Sequence, residues 1–208
     1  MPRPEAVIFD IGNVLIEWRP ERYFDRLLGA EARRALFAEV DLHGMNDRID
    51  RGEALETVVA ETAARHPRHA EAIRHWQHSW IALASPEIAG SAHLVQALAR
   101  RRVPLFILSN IGHETFEMAR ARYPVLDLFD RAFLSARTGA LKPEPAIYAH
   151  VEEQTGLRPE TLLFADDRAE NIAAAARRGW QTHLFTDPGG WAAALVEAGL
   201  LDRQDAAP

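Results

Sequence analysis

Four short stretches set chemically useful side chains beside apolar runs. They are FDIGNV with Asp10, LSN with Ser109 and Asn110, LKP with Lys142, and ADDRAEN with Asp166, Asp167 and Asn171. Together they offer a hydroxyl, an ammonium and several carboxylates, a set suited to phosphoryl transfer. A carboxylate can attack phosphorus and so split one difficult hydrolysis into two easier steps. The phosphate dianion repels that carboxylate, and Mg²⁺ offsets the repulsion, being a hard cation held by one or two carboxylates. Asp10 with Asp166 or Asp167 supplies the carboxylates, Lys142 adds positive charge, and Ser109 with backbone N–H groups holds the transferring oxygens.

The elements that must position these residues are legible as apolar runs bounded by turn residues. Residues 6–9, 104–108, 132–134, 162–165 and 182–185 read as short buried strands. Helical patterns separate the later ones. Ser85-Pro86-Glu87 has the form of an N-cap with proline at the first helical position, opening a helix that ends in Arg100-Arg101-Arg102. Further helices are expected to stop at Gly156 and Gly179, and Asp187-Pro188 opens the last one. Strands alternating with helices predict an α/β fold, a parallel sheet covered by helices on both faces. In such sheets ligands bind outside the carboxyl ends of the strands, where all four stretches fall.

The interval from about 17 to 84 is the exception, far longer than one crossover helix requires and without a convincing strand. Helical periodicity covers 21–40, 47–64 and 67–83, with Leu27, Leu28, Leu36 and Phe37 as the apolar set of the first and Leu55, Val58 and Val59 of the second. The expected organisation is a core of residues 1–16 and 85–208 with an inserted helical cap at 17–84. The terminal residues 205–208 are expected to fray.

Bulk properties narrow the classes. The 208 residues carry 24 Lys+Arg against 30 Asp+Glu, a net charge of −6, which argues against a polyanion-binding surface and hence against nucleic acid as a partner. There is no cysteine, so thiolate metal sites and disulfides are excluded. No apolar stretch is long enough for a membrane span or a signal peptide, and cytoplasm is the expected location.

The ordered set FDIGNV, LSN, LKP and DDRAEN resembles the four motifs of the haloacid dehalogenase-like (HAD) hydrolases, over residues 7–185. Within that superfamily the DxGNV opening together with DDxxxN is most similar to bacterial phosphatases of the α-D-glucose-1-phosphate phosphatase type. The resemblance implies a Rossmann-like core with a small helical cap, Asp10 as nucleophile, Ser109 as phosphate-binding hydroxyl, Lys142 as phosphate-binding lysine, and Mg²⁺ near Asp167. Asp166 then contacts the metal through water or pairs with Lys142. The implied activity is hydrolysis of a small phosphorylated metabolite, with a sugar phosphate as the expected class.

One departure from that pattern carries information. Many phosphatases of the superfamily have a second aspartate two residues after the nucleophile, as general acid/base; here Gly12 keeps a carbonyl for the metal but has no side chain to move a proton. Such proton transfer typically contributes about 10²–10⁴-fold in rate. An easily leaving group would need it least, and Asp50 or Glu53 from the cap are candidate replacements. Two other readings stay open: a metal-independent 2-haloacid dehalogenase, in which Asp10 attacks carbon, and a weakly catalytic phosphate-binding protein.

Other residues divide between function and packing. Asn171, one helical turn beyond Asp167, is expected to support the site or to lie on the helix surface. Asn110 is expected to bind phosphate through its N–H, its side chain being free to close a local turn. Arg19 reaches a substrate oxygen or pairs with Glu17 or Glu21. Trp76 and Trp80 share one face as core or pocket wall, and His66, His69, His75 and His78 are read as surface residues rather than a zinc site.

Overall fold

The computed structural model describes residues 2–206. The chain runs through β1 (Ala6–Phe9) and the short β2 (Ile16–Trp18) into a helical segment made of α1 (Pro20–Leu28), α2 (Ala30–Glu39), α3 (Leu42–Asp50), α4 (Leu55–Arg65), α5 (Ala70–His78) and α6 (Trp80–Leu83). It returns along β3 (Ala84–Glu87), antiparallel to β2. Thereafter helices and strands alternate: α7 (Ala89–Arg100), β4 (Leu105–Ser109), α8 (His113–Arg122), β5 (Arg131–Leu134), the single turn α9 (Ser135–Thr138), α10 (Pro145–Thr155), β6 (Leu162–Asp166), α11 (Ala169–Arg177), β7 (Gln181–Leu184) and α12 (Pro188–Glu197).

Five strands pair in parallel in the order β5-β4-β1-β6-β7. This is the expected Rossmann-like α/β architecture. Alternation along the strands sends Val7, Phe9, Ile107 and Ala165 to one apolar cluster, and Ala6, Ile8, Phe106, Leu108 and Phe164 to another. The first cluster runs on through α7 and α12 into the helical segment; the second is closed by Tyr148, Ala175 and Trp180. The central strand β1 has β4 on one side and β6 on the other, so the crevice that such sheets open at their carboxyl ends lies at its end.

Local signals were good guides where no distant partner intervened. Gly156 ends α10 with φ +66°, and Asp187 caps α12, its carboxylate accepting from the Gly190 N–H at 2.9 Å. Three expectations need correction. Residues 16–18 and 84–87 form a β-ribbon where the chain leaves and re-enters the sheet, so Pro86 lies in an edge strand rather than at a helix start, and α7 opens at Ala89. Pairing between segments about seventy residues apart overrides the local cap signal. The first long helix is broken at Gly29, φ +83°, into α1 and α2; Leu27 and Leu28 at the end of α1 are exposed, while Leu36 in α2 is buried. The chain end is anchored where it was expected to fray: the Arg101 guanidinium holds the Asp205 carboxylate at 2.5 Å and His93 meets its carbonyl, while Ala207 and Pro208 lie outside the described residues.

Gly52 brings the helical segment against the strand ends. It has φ +103°, and a Cβ there would lie 2.7 Å from the carbonyl oxygen of Ala136 in α9. Both the backbone conformation and the close approach require glycine. Gly52→Ala is expected to lower stability by about 1–3 kcal/mol, measured by urea unfolding.

Candidate active site

β1 ends at Phe9 and delivers Asp10 into the crevice, its N–H bonded to the carbonyl of Ala165 on β6 at 3.0 Å. Ser109 is the last residue of β4, and Asp166 the last of β6. Lys142 arrives from the loop before α10. Its Nζ stands 2.9 Å from Asp10 Oδ1 and 2.6 Å from Asp166 Oδ2, with its side chain 1 % exposed. Ser109 Oγ donates to Asp10 Oδ1 at 2.7 Å, and the Ile11 N–H donates to the same oxygen at 2.7 Å. Three donors therefore converge on Oδ1, and none of these bonds uses Oδ2.

Asp166 is similarly committed. Besides Lys142 it accepts from the Arg168 N–H at 2.8 Å and from Asn171 Nδ2 at 2.9 and 3.0 Å. Asn171 thus faces the site, and its buried Oδ1 has no partner. Asp167 is less enclosed; its Oδ2 accepts from Asn13 Nδ2 at 3.1 Å. Asn13 sits at φ +55°, a conformation asparagine tolerates better than most residues, and its Oδ1 holds the Trp18 N–H at 3.0 Å. Sequence reasoning missed this residue. The Gly12-Asn13 pair signals a turn, but nothing local says that the amide will meet a carboxylate 154 positions away.

The electrostatics follow from burial. Desolvation pushes Asp10 up to about 6; Lys142 opposes the shift and Asp166 adds to it. Burial likewise raises Asp167, with the Asn13 bond opposing and Asp166 adding. Burial works against the Lys142 ammonium, but Asp10 and Asp166 outweigh it and hold it above the usual lysine range. One oxygen of each of Asp10, Asp166 and Asp167 lies within 4.8 Å of the others, with a single ammonium among them. Such a group of hard oxygen donors, short of positive charge, fits a divalent cation of the Mg²⁺ type.

A cavity of about 200 Å³ opens over these groups. Asp10, Ser109, Asn110, Lys142 and Asp167 line its floor; Trp18, His43, Asn46, Asp47, Asp50 and Trp80 line the side built by β2 and the helical segment. Asn110 braces Lys142 rather than closing a local turn: its Oδ1 accepts from the Lys142 N–H at 2.7 Å and its Nδ2 donates to the Lys142 carbonyl at 3.0 Å. Arg19 is exposed and outside the cavity lining, and Glu17 pairs with Arg22 instead, at 2.7 Å. The two candidate acids separate. Asp50 is buried in the cavity wall, whereas Glu53 is exposed and bound by Arg48 at 2.8 Å.

The tryptophans separate too, Trp76 in the core and Trp80 in the wall. His69 pairs with Glu39 and His75 with Tyr23, each at 2.8 Å. The described residues hold no histidine metal cluster.

Comparison with known proteins bears on the fold and the family. The chain is 27% identical over 197 residues to sesquiterpene phosphatase astK of Aspergillus oryzae, covering 88% of this chain and 90% of that one. Its fold matches a HAD family enzyme of Bacteroides thetaiotaomicron with a TM-score of 0.75 at 19% identity, over 92% of this chain and 98% of the other. That enzyme has also been solved with magnesium and inorganic phosphate. L-2-haloacid dehalogenase of Xanthobacter autotrophicus shares the fold as well, with a TM-score of 0.63 at 19% identity, covering 95% and 84% of the two chains. Residues 4–179 match the family of haloacid dehalogenase-like hydrolases, and this chain belongs to it.

Proposed function

We propose that the chain is a Mg²⁺-dependent phosphomonoester hydrolase that acts on a small phosphorylated metabolite, a sugar phosphate, through an aspartyl-phosphate intermediate. The observation that carries this reading is the surroundings of Asp10. A buried carboxylate ends the central strand, with one oxygen held by Ser109, Lys142 and the Ile11 N–H and the other uncommitted. That arrangement orients Oδ2 for bond formation while Lys142 and Ser109 wait for phosphate oxygens.

Asp10, the Gly12 carbonyl and Asp167 would hold the metal. Asp166, its oxygens already engaged by Lys142, Arg168 and Asn171, would act on it indirectly. When bound, Mg²⁺ would screen the charge between the nucleophile and the phosphate. Residues 17–84 would serve as the cap, excluding bulk water from a floor built by residues 1–16 and 85–208.

The cap side of the cavity suggests what leaves with the oxygen. It presents two tryptophans, His43, Asn46, Asp47 and Asp50, and no lysine or arginine. A second anionic group on the substrate would meet carboxylates there, whereas a hydroxylated neutral body would find hydrogen-bond partners and aromatic faces. This favours a hexose phosphate of the glucose-1-phosphate kind over a substrate with a further carboxylate or phosphate. The dehalogenase reading fits less well, because a metal-free site for a halocarboxylate gains nothing from three clustered acids.

Assays with and without EDTA on hexose 1-phosphates, 6-phosphogluconate, an isoprenoid monophosphate and 2-chloropropionate test this reading. Turnover is expected for the neutral-bodied hexose phosphates, abolished by EDTA and by Asp10→Asn. Metal-independent release of chloride would overturn it. The charge balance around Asp10 is tested separately by stability. Lys142→Met leaves two buried carboxylates unpaired and is expected to cost about 3–5 kcal/mol at pH 7.5. Burial already raises the Asp10 carboxyl to about 6 with Lys142 beside it, and without that cation it rises further, so the variant takes up a proton first and the loss should shrink as pH falls towards 6, measured by urea unfolding across that range.

A further inference from the structure

We propose that Asp50, contributed by the cap, is the general acid/base for this site, protonating the departing oxygen and then taking a proton from the attacking water. The proposal rests on the phosphatase reading above and fills the position that Gly12 leaves empty. Asp50 is 7 % exposed, lines the same cavity as Asp10, and has no lysine or arginine bound to its carboxylate among the described residues. A buried carboxyl without a cation is costly as an anion and keeps a proton.

Its placement is built from both sides of the cleft. From the cap, the fully buried Trp76 donates its Nε1–H to Asn46 Oδ1 at 3.0 Å, which turns the amide so that Nδ2 donates to Asp50 Oδ2 at 2.7 Å. From the strand ends, Ser135 Oγ donates to the Asp50 carbonyl at 2.6 Å and accepts from the Ile111 N–H at 3.0 Å. The Asp50 backbone is thereby fixed beside Ile111, the residue that follows Ser109-Asn110, and its carboxyl, held by Asn46, lines the cavity that Asp10 floors.

Charged and titratable groups line the cavity on both sides of it, and the carboxylates among them add to its proton affinity. His43 and Asp47 come from its own helix, and Asp10, Lys142, Asp167 and Arg168 from the opposite rim. Burial is the largest cause and Asp47 the next, with Asp10 adding less; the Gly112 N–H and Asn46 pull the other way, and the carboxyl is pushed up to about 8. At neutral pH Asp50 therefore carries the proton a general acid needs.

The steps balance. As Asp10 Oδ2 bonds phosphorus, the bond from phosphorus to the alcohol oxygen breaks, and that oxygen takes the Asp50 proton and leaves as the alcohol. Water then attacks phosphorus, its proton passes to the Asp50 carboxylate, and the bond to Asp10 breaks to release phosphate. Both aspartates return to their starting states.

Leaving-group dependence tests the assignment. Wild type, Asp10→Asn, Asp50→Asn and Asp50→Glu are assayed with Mg²⁺ on an alkyl phosphate and on p-nitrophenyl phosphate, whose phenolate needs no proton to leave. Asp50→Asn is expected to slow the alkyl ester by about 10²–10⁴-fold and the aryl ester by less than about tenfold, with Asp50→Glu partly restoring the alkyl rate. Asp10→Asn should lose both. Equal loss on the two esters, or loss on neither, overturns the role of Asp50 alone; a wild type that hydrolyses neither overturns the phosphatase reading as well.

A stability measurement in EDTA is independent of turnover. The folded protein keeps the Asp50 proton up to about 8 while the unfolded chain releases it near 3.8, so stability falls as pH rises through that window. Asp50→Asn should therefore lose less Tm than wild type between pH 5 and 8, and an unchanged slope overturns the assignment. If the variant does not fold, the wild type still decides: kcat/KM for the alkyl ester should fall above about pH 8 while the aryl ester lacks that limb, and identical profiles overturn the proposal.

Discussion

The Lys142 ammonium, enclosed between Asp10 and Asp166, is the interaction on which the rest of the site depends. It joins the end of β1, the end of β6 and the loop before α10, three segments that share no local sequence. A charge so buried is tolerated only when its partners are close and its remaining surroundings are satisfied. Both conditions hold: two carboxylates lie within 2.9 Å, the face of Phe164 lies 5.4 Å below the ammonium, and the Lys142 backbone is clamped in both directions by Asn110. Lys142 offsets only part of the negative charge of the cluster, and burial still holds the Asp10 carboxyl up at about 6 against it.

A division of labour follows from where the two halves of the cleft originate. Strand ends supply rigid, closely spaced charges, because parallel pairing sets Asp10, Ser109 and Asp166 side by side. The segment between β2 and β3 supplies aromatic surface and uncharged or acidic groups. Its own interior is aromatic as well, with Trp18, Phe24 and Trp76 in contact around centroids 5.7 and 6.2 Å apart, and this packing reaches the cleft through the Trp76–Asn46–Asp50 hydrogen bonds. The same packing reaches the cavity floor through Trp18, whose N–H is held by the Asn13 amide that bonds Asp167.

Much of this was legible in the residues. The five apolar runs became the five parallel strands to within one or two positions, because a doubly covered strand needs a continuous apolar run whatever surrounds it. The strand-end rule then gathered Asp10, Ser109, Lys142 and Asp166. Helix stops at Gly156 and Gly179 and the cap at Asp187 were legible because each depends on a few neighbouring atoms. Where a distant segment competed, the local reading gave way: Ser85-Pro86 has the chemistry of a helix start but pairs with β2. Helical spacing alone did not place Leu27 and Leu28, which are exposed at the end of α1.

What the sequence by itself determined was the set of reactive groups and the sheet that presents them, since side-chain type, strand periodicity and strand-end placement are all encoded within short windows. Tertiary structure alone decided which of two plausible acids lines the cavity with Asp10, burying Asp50 there and pairing Glu53 with Arg48 at the surface. It also moved Arg19 outside the cavity and recruited Asn13 to Asp167. The physical reason is distance along the chain: the Asp50 and Asn13 contacts close over 85 and 154 residues, and no local propensity can report a partner that only the packed sheet brings near.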